Sequence, residues 1–274
     1  MAAESLALSR RLGRPDSIAH ALDTLAASAA CLGDYGEALT CIKEHQAICR
    51  EMGDPFGIAL SYNSLGWLAV YMKDTLAVTK ALAYSKQAVA MFREIGHRSN
   101  LALSLGALAL VAFELGEYEK GLPFAREGTA LAAEIGNLDF KSFCLCYLGA
   151  IECGLGQTQA GRNHLLEALR IAQAKQMLSY IPTALFYLGA LLAKESDAAD
   201  VTEPLKLQQK AKALELLTLI GCHPITDAFI KDKAAPLQAE LEADLPPEVA
   251  TAVQERGKSR PLAEVVAEVL NTDC

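Results

Sequence analysis

Apolar and polar positions alternate along this chain with a long period. An apolar residue followed by glycine recurs at Leu12-Gly13, Met52-Gly53, Ile95-Gly96, Ile135-Gly136 and Ile220-Gly221, and Lys175-Gln176 holds the same place once without glycine. The spacings between markers are 40, 43, 40, 40 and 45 residues. Twelve residues after each of five markers comes a Leu with a small neighbour: Leu25-Ala26, Leu65-Gly66, Leu108-Ala109, Leu148-Gly149 and Leu188-Gly189. Seven residues beyond the small neighbour lies a second turn signal, Gly33, Gly116 or Gly156, with Lys73 and Ser196 in its place twice. The pattern predicts a repeated pair of helices, A then B, each closed by a turn.

The punctuation between the helices agrees. Asp34, with Glu37 three residues on, is a capping-box start for the first B helix, and Asp54-Pro55 combines an N-cap with a proline at the first helical position. Glycines 13, 53, 96 and 136 suit the left-handed conformation that ends a helix. Two insertions, between residues 73 and 84 and around residues 196–204, are expected to lengthen loops or helix ends. Residues 4–12 read as a B-type helix without a helix A before it, as if the array were cut from a longer one or covered by a further domain. Residues 224–245 predict one or two helices, Pro246-Pro247 breaks the chain, and residues 248–256 and 261–270 predict short closing helices.

These motifs carry a resemblance. Leu-Gly in helix A, Gly33-Asp34-Tyr35 and Gly116-Glu117-Tyr118 at the turns, and Ile135-Gly136-Asn137 closing a helix B are similar to tetratricopeptide repeats. The period resembles the long, roughly 40-residue variety of MalT-like activators and related STAND regulators. The resemblance implies an all-α fold: a right-handed solenoid of helix-turn-helix repeats over residues 1–222, a half repeat plus five pairs, with a short helical cap over residues 223–274. The segment from Gly257 to Leu270 is similar to the stretch that follows the repeats in many STAND regulators. No ATPase domain precedes the repeats here and no helix-turn-helix follows, so neither ATP hydrolysis nor DNA reading in that family's manner is expected of these residues.

Charge sorts the two helix types. The B helices hold most of the ions, such as Glu37, Lys43, Glu44, Arg50 and Glu51, whereas the A helices are nearly uncharged. B helices are therefore expected to face water and A helices to be buried or covered. The A-helix stretches at residues 55–72 and 176–193 approach the length of a membrane span, but their Ser, Tyr, Asn, Thr and Pro residues fit a buried inner layer better. No membrane association is expected.

Composition removes several function classes. With 52% hydrophobic residues the chain buries too much to be disordered, and at a net charge of -8 without a Lys/Arg stripe no direct contact with nucleic acid is expected. The charged N-terminus does not form a secretory signal, which points to the cytoplasm. The eight cysteines, including Cys31, Cys222 and Cys274, form no CxxC pair, and reduced, buried thiols are expected rather than metal ligands or disulfides. No Walker loop, HExxH or GxSxG occurs, and Gly257-Lys258-Ser259 reads as a turn because the rest of a phosphate loop is missing. No enzyme activity, cofactor or metal is expected.

Carried over by the resemblance, the concave face of the repeats is assigned to Asp23, Leu60, Asn63, Trp67, Val70, Leu103, Leu110, Phe113, Phe143, Cys146 and Phe186. Apolar and partly aromatic, it suits a side chain or helix of a partner protein or peptide. Asn63 is placed either to clamp a peptide backbone or to bond a neighbouring helix. The expectation is a non-catalytic binding scaffold, a sensor or interaction module in bacterial signalling or transcription regulation. The alternatives are a structural or self-associating element whose inner face packs on itself or on a second copy, and a module for a small effector.

Overall fold

The computed structural model describes residues 2–72, 75–199 and 201–272. Among them are fourteen α-helices, one short 3-10 turn and no strand. The chain divides into two compact units, Met1–Tyr147 and Leu148–Cys274, with the division inside one helix.

The first unit starts with α1 (Ala2–Leu12), which packs on α2 (Pro15–Leu32). The pairs α2/α3 (Tyr35–Met52), α4 (Pro55–Tyr71)/α5 (Thr75–Ile95) and α6 (Arg98–Glu114)/α7 (Tyr118–Glu134) are the A/B hairpins predicted, and the first part of α8 (Leu138–Gly154) follows. The B helices α3 and α5 also pack on the next A helices, α4 and α6, so the layers form by stacking. The extra residues of the second pair lengthen α5. The turn expected at Lys73 lies outside the described residues.

The caps form as the local sequence dictates. Asp34 accepts a hydrogen bond from the Glu37 amide at 3.0 Å, Asp54 from Phe56 at 3.0 Å and Asn137 from Phe140 at 3.0 Å. Glycines 13, 53, 96 and 136 all have positive φ. Gln176, at the marker without glycine, is the one non-glycine residue with positive φ among the described residues (54°). Ile220-Gly221 departs from the expectation, since the last B helix runs on to Cys222 and leaves through extended backbone at His223. No further A helix follows there in the same register. The glycine after the marker Leu lies close to helix B in two pairs, at Gly66 against α5 and at Gly149 beside the Gly161 carbonyl. At Gly66 a Cβ would stand 2.5 Å from Ser85 Oγ, so a side chain there would force the Ser85 hydroxyl to turn away.

The second unit continues with the end of α8, α9 (Thr158–Ala174), the 3-10 turn Leu178–Tyr180, α10 (Ile181–Ser196) and α11 (Glu203–Cys222). The remaining helices are α12 (Ala228–Asp244), α13 (Pro247–Ser259) and α14 (Leu262–Thr272). Here the expectation that B helices face water fails for α11. Every residue from 213 to 220 is buried, because α10, α12 and α13 all pack against it, while α14 packs on α9. Helix α13 lies so close that a Cβ on Gly257 would stand 2.9 Å from the Glu215 carbonyl. Gly257-Lys258-Ser259 is thus the last turn of a helix rather than a loop.

The wrapping buries a charge. Glu215 is wholly buried, yet it accepts from Arg256 and Arg260, each at 2.9 Å, and lies 3.3 Å from Lys212. Burial by itself pushes the Glu215 carboxyl up, but Lys212, Arg260 and Arg256 together hold it below the usual carboxylate range. Lys212 and Arg260 also reach Glu268 of α14, so one ionic network joins α11, α13 and α14.

Candidate functional site

An α-helix turns about 100° per residue, which sets Trp67 and Tyr71, four apart, on one side of α4. Opposite them on α2 are Asp23 and Ala27. Together with Cys31 and Ser64 they line a hollow of about 210 Å³. Trp67 is half-buried and lines this hollow.

Aromatic rings extend from it. Tyr35 lies 6.3 Å from Tyr71 between ring centroids, Tyr71 lies 6.1 Å from Trp67, Trp67 lies 5.0 Å from Phe143, and Phe143 meets Tyr147 edge-on at 5.0 Å. The Trp67–Phe143 contact joins α4 to α8 across α6. It exists because α6 carries Gly106 beneath the Phe143 ring, where a Cβ would stand 2.6 Å from Cε1.

The assigned residues fall into two groups. Asp23, Leu60, Trp67, Leu103 and Phe113 are half-buried and reach the surface. Asn63, Val70, Leu110, Phe143 and Cys146 are buried within the first unit, and Phe186 is buried in the second. The Asn63 Oδ1 accepts a hydrogen bond from Ser104 Oγ of α6 at 3.0 Å, so its amide oxygen is bound to a neighbouring helix. Phe186 packs edge-on against Tyr187, 5.0 Å away, and Lys233 of α12 stands 5.9 Å from its ring centre. Tyr71, which the sequence does not single out, lines the hollow, whereas Val70, which it does, is buried. Tyr71 lies roughly 40° around the helix from Trp67, whereas Val70 lies about 60° to the other side and enters the core.

The electrostatics of the hollow follow from burial. Burial pushes the Asp23 carboxyl above its ordinary range, against the pull of His45 and His20. His45, itself buried, is pushed below the usual imidazole range. Its Nδ1 lies 2.8 Å from Ser61 Oγ and its Nε2 3.5 Å from Cys49 Sγ. Ser61 donates to the Gly57 carbonyl at 2.9 Å, so a neutral His45 donating to Ser61 and accepting from the Cys49 thiol satisfies all three groups. A cysteine beside a histidine resembles an activated nucleophile, but Cys49 is 1% exposed and burial raises its thiol. An activated cysteine needs the opposite, an accessible thiolate near positive charge.

The cysteines are free but not uniformly buried. Cys41, Cys49, Cys144 and Cys146 are buried, Cys153 is half-buried, and Cys31 and Cys222 are exposed, contrary to expectation. Cys274 lies outside the described residues. Burial pushes the Cys144 thiol up to about 12 and the Cys153 thiol up to about 11. Among the described residues no helix is long and apolar enough to cross a membrane.

No protein-family model matches the sequence, and no curated protein does. Among solved structures the chain is similar to a Signal Transduction ATPase with Numerous Domains (STAND) protein with a tetratricopeptide repeat sensor, from Pyrococcus horikoshii. The TM-score is 0.51 at 14% sequence identity, and the match covers 88% of this chain and 38% of the other. The fold is a tetratricopeptide-like array of helical repeats. At that identity the likeness speaks to the fold, and this chain spans well under half the length of the protein it resembles.

Proposed function

We propose that this chain is a non-catalytic repeat module that binds a protein or peptide partner on the A-helix face around Trp67. It serves as a sensor or interaction part in bacterial signalling or transcription regulation, in the cytoplasm. In this reading Asp23, Leu60, Trp67, Leu103 and Phe113 touch the partner, while Asn63, Val70, Leu110, Phe143 and Cys146 support the wall behind them. Phe186 belongs to the equivalent A-helix face of the second unit. Residues 1–222 act as the repeat array and residues 223–274 as its helical cap.

The observation that carries the reading is the half-buried Trp67 beside the 210 Å³ hollow. Large, rigid, amphipathic rings of this kind dominate binding energy when a partner desolvates them. The test is selection from a displayed peptide library on the purified protein, followed by titration read through Trp67, the single tryptophan. Selected peptides are expected to shift Trp67 emission and to lose binding in Trp67→Ala and Asp23→Ala, with thermal melts showing that both variants fold. Peptides that bind both variants undiminished would remove this face from consideration.

One observation favours the self-packed alternative, since Phe143 already covers one side of the Trp67 ring. Sedimentation and quenching distinguish the readings: a concentration-dependent dimer abolished by Trp67→Ala supports self-association, a monomer whose Trp67 is shielded from acrylamide supports packing on itself, and a monomer with an accessible Trp67 supports an external partner.

A further inference from the structure

Two ionic bridges in the first unit, Arg10–Glu44 and Arg93–Glu127, share one register, and the step between them lacks its acid. Three residues before the closing glycine of a B helix stands an arginine: Arg10, Arg50 and Arg93 precede Gly13, Gly53 and Gly96. Arg10 reaches Glu44 on the next B helix at 2.7 Å, and Arg93 reaches Glu127 at 2.6 Å. Both glutamates stand nine residues before the glycine that closes their own helix. The equivalent residue for Arg50 is Gln87, which has no charge to offer. Arg50 turns instead to the Tyr62 hydroxyl at 3.5 Å.

At this broken bridge the helices α3, α4 and α5 enclose a cleft of about 460 Å³. It lies on the opposite side of α4 from Trp67, because Tyr62, Leu65 and Ala69 are roughly half a turn around the helix from it. Lys43 and Arg50 of α3 and Lys80 of α5 line it, and no acid does among the described residues. Neither Lys43 nor Lys80 has an anionic partner among those residues. Tyr62 and Tyr84 stand 6.2 Å apart with rings inclined at 33°, over a floor that includes Leu39, Leu65 and Ala69. Gln46, on the same wall, is 8% exposed, and its buried Nε2 lacks a hydrogen-bond partner.

We propose that this cleft is a binding site for a small organic anion, with a carboxylate, sulfonate or phosphate head held by Lys43, Arg50 and Lys80 and a flat apolar body lying against Tyr62 and Tyr84 over the floor of Leu39, Leu65 and Ala69. Three cations gathered in one cleft of an acidic protein repel one another until an anion enters. The volume suits a compact ligand, and an apolar floor with a few convergent polar groups is the usual construction of such sites.

The test uses 8-anilinonaphthalene-1-sulfonate, an aromatic sulfonate whose fluorescence rises on binding. Saturable one-site binding is expected, weakening as salt is raised. Gln87→Glu restores the internal partner of Arg50, and Lys43→Gln with Lys80→Gln removes two donors; each change is expected to weaken binding about tenfold or more, the scale of one charge-assisted hydrogen bond. Lys258→Gln, in the other unit, is expected to leave binding unchanged, and thermal melts establish that every variant folds. The neutral N-phenyl-1-naphthylamine is expected to bind at least tenfold more weakly than the sulfonate. Inorganic phosphate is expected to compete only at much higher concentration. Binding indifferent to Gln87→Glu and to the lysine changes, or equal binding of the neutral amine, would overturn the proposal. Phosphate alone binding as tightly as the aromatic sulfonate would remove the apolar part of it.

Discussion

Phe143 places its ring 5.0 Å from that of Trp67 although the two residues sit on helices α8 and α4, with α6 between them. The bridge is steric in origin: Gly106 of α6 leaves the space that the Phe143 ring fills. One face of Trp67 is thereby fixed, and the other borders the hollow that it shares with Asp23 and Tyr71.

Gly106→Ala is accordingly expected to disturb Trp67 without touching it. The new methyl would meet Phe143 at 2.6 Å and Cys144 Sγ at 2.8 Å, so the ring must move. Overpacking of this kind costs about 1–3 kcal/mol. The check is a red shift of Trp67 emission in the folded variant together with a lowered urea midpoint. Unchanged emission would mean that the Trp67–Phe143 contact does not depend on Gly106.

Gln176 offers a change in the opposite direction. A left-handed conformation costs a residue with a Cβ roughly 1–2 kcal/mol, and the other repeat markers avoid that cost with glycine. Gln176→Gly is expected to raise stability by about 1 kcal/mol, less the entropy that glycine gains in the unfolded chain. Equilibrium urea unfolding measures it, with a higher midpoint and an unchanged slope as the expected result.

Two carboxylates give pH dependences of opposite sign. The Glu215 carboxyl is held below its usual range in the fold, so its contribution is present above the unfolded value of about 4.3 and is lost as pH falls through the lower folded value. Glu215→Ala removes one partner from Arg256, which is half exposed, and from Arg260, which keeps Glu264 and Glu268, and is expected to cost about 1–3 kcal/mol at neutral pH and less in acid. Asp23 is raised, so its charge opposes folding above the folded value and the penalty disappears as pH falls toward the unfolded value of about 3.9. Asp23→Asn is expected to stabilise the protein at pH 7 and to have no such effect near pH 3. Denaturation midpoints of both variants at the two pH values test the signs.

The repeat period, the positions of the A and B helices and their caps are legible in the sequence because they are local. Asp34 and Asp54 cap helices within three residues of themselves, and Gly13, Gly53, Gly96 and Gly136 end them within one. Even Gln176 stands at its marker, although its side chain gives no hint of the conformation. The candidate face is legible only to the nearest helix side. A repeat register shared with other proteins selects Val70, but around α4 Tyr71 lies nearer to Trp67 and lines the hollow, while Val70 enters the core. Asn63 shows the same limit, since nothing in its neighbours along the chain indicates that Ser104, forty-one residues on, would donate to it.

The sequence by itself determined a stack of helical hairpins, since period, caps and turns act over a few residues. Only the tertiary structure decided which surfaces stay open. The packing of α12 and α13 on α11 buried a charged B helix, Gly106 let Phe143 reach Trp67, and Gln87 left Arg50 without its carboxylate. Each of these outcomes depends on residues distant along the chain meeting at a few ångströms, where a single Cβ or a single charge decides what fits.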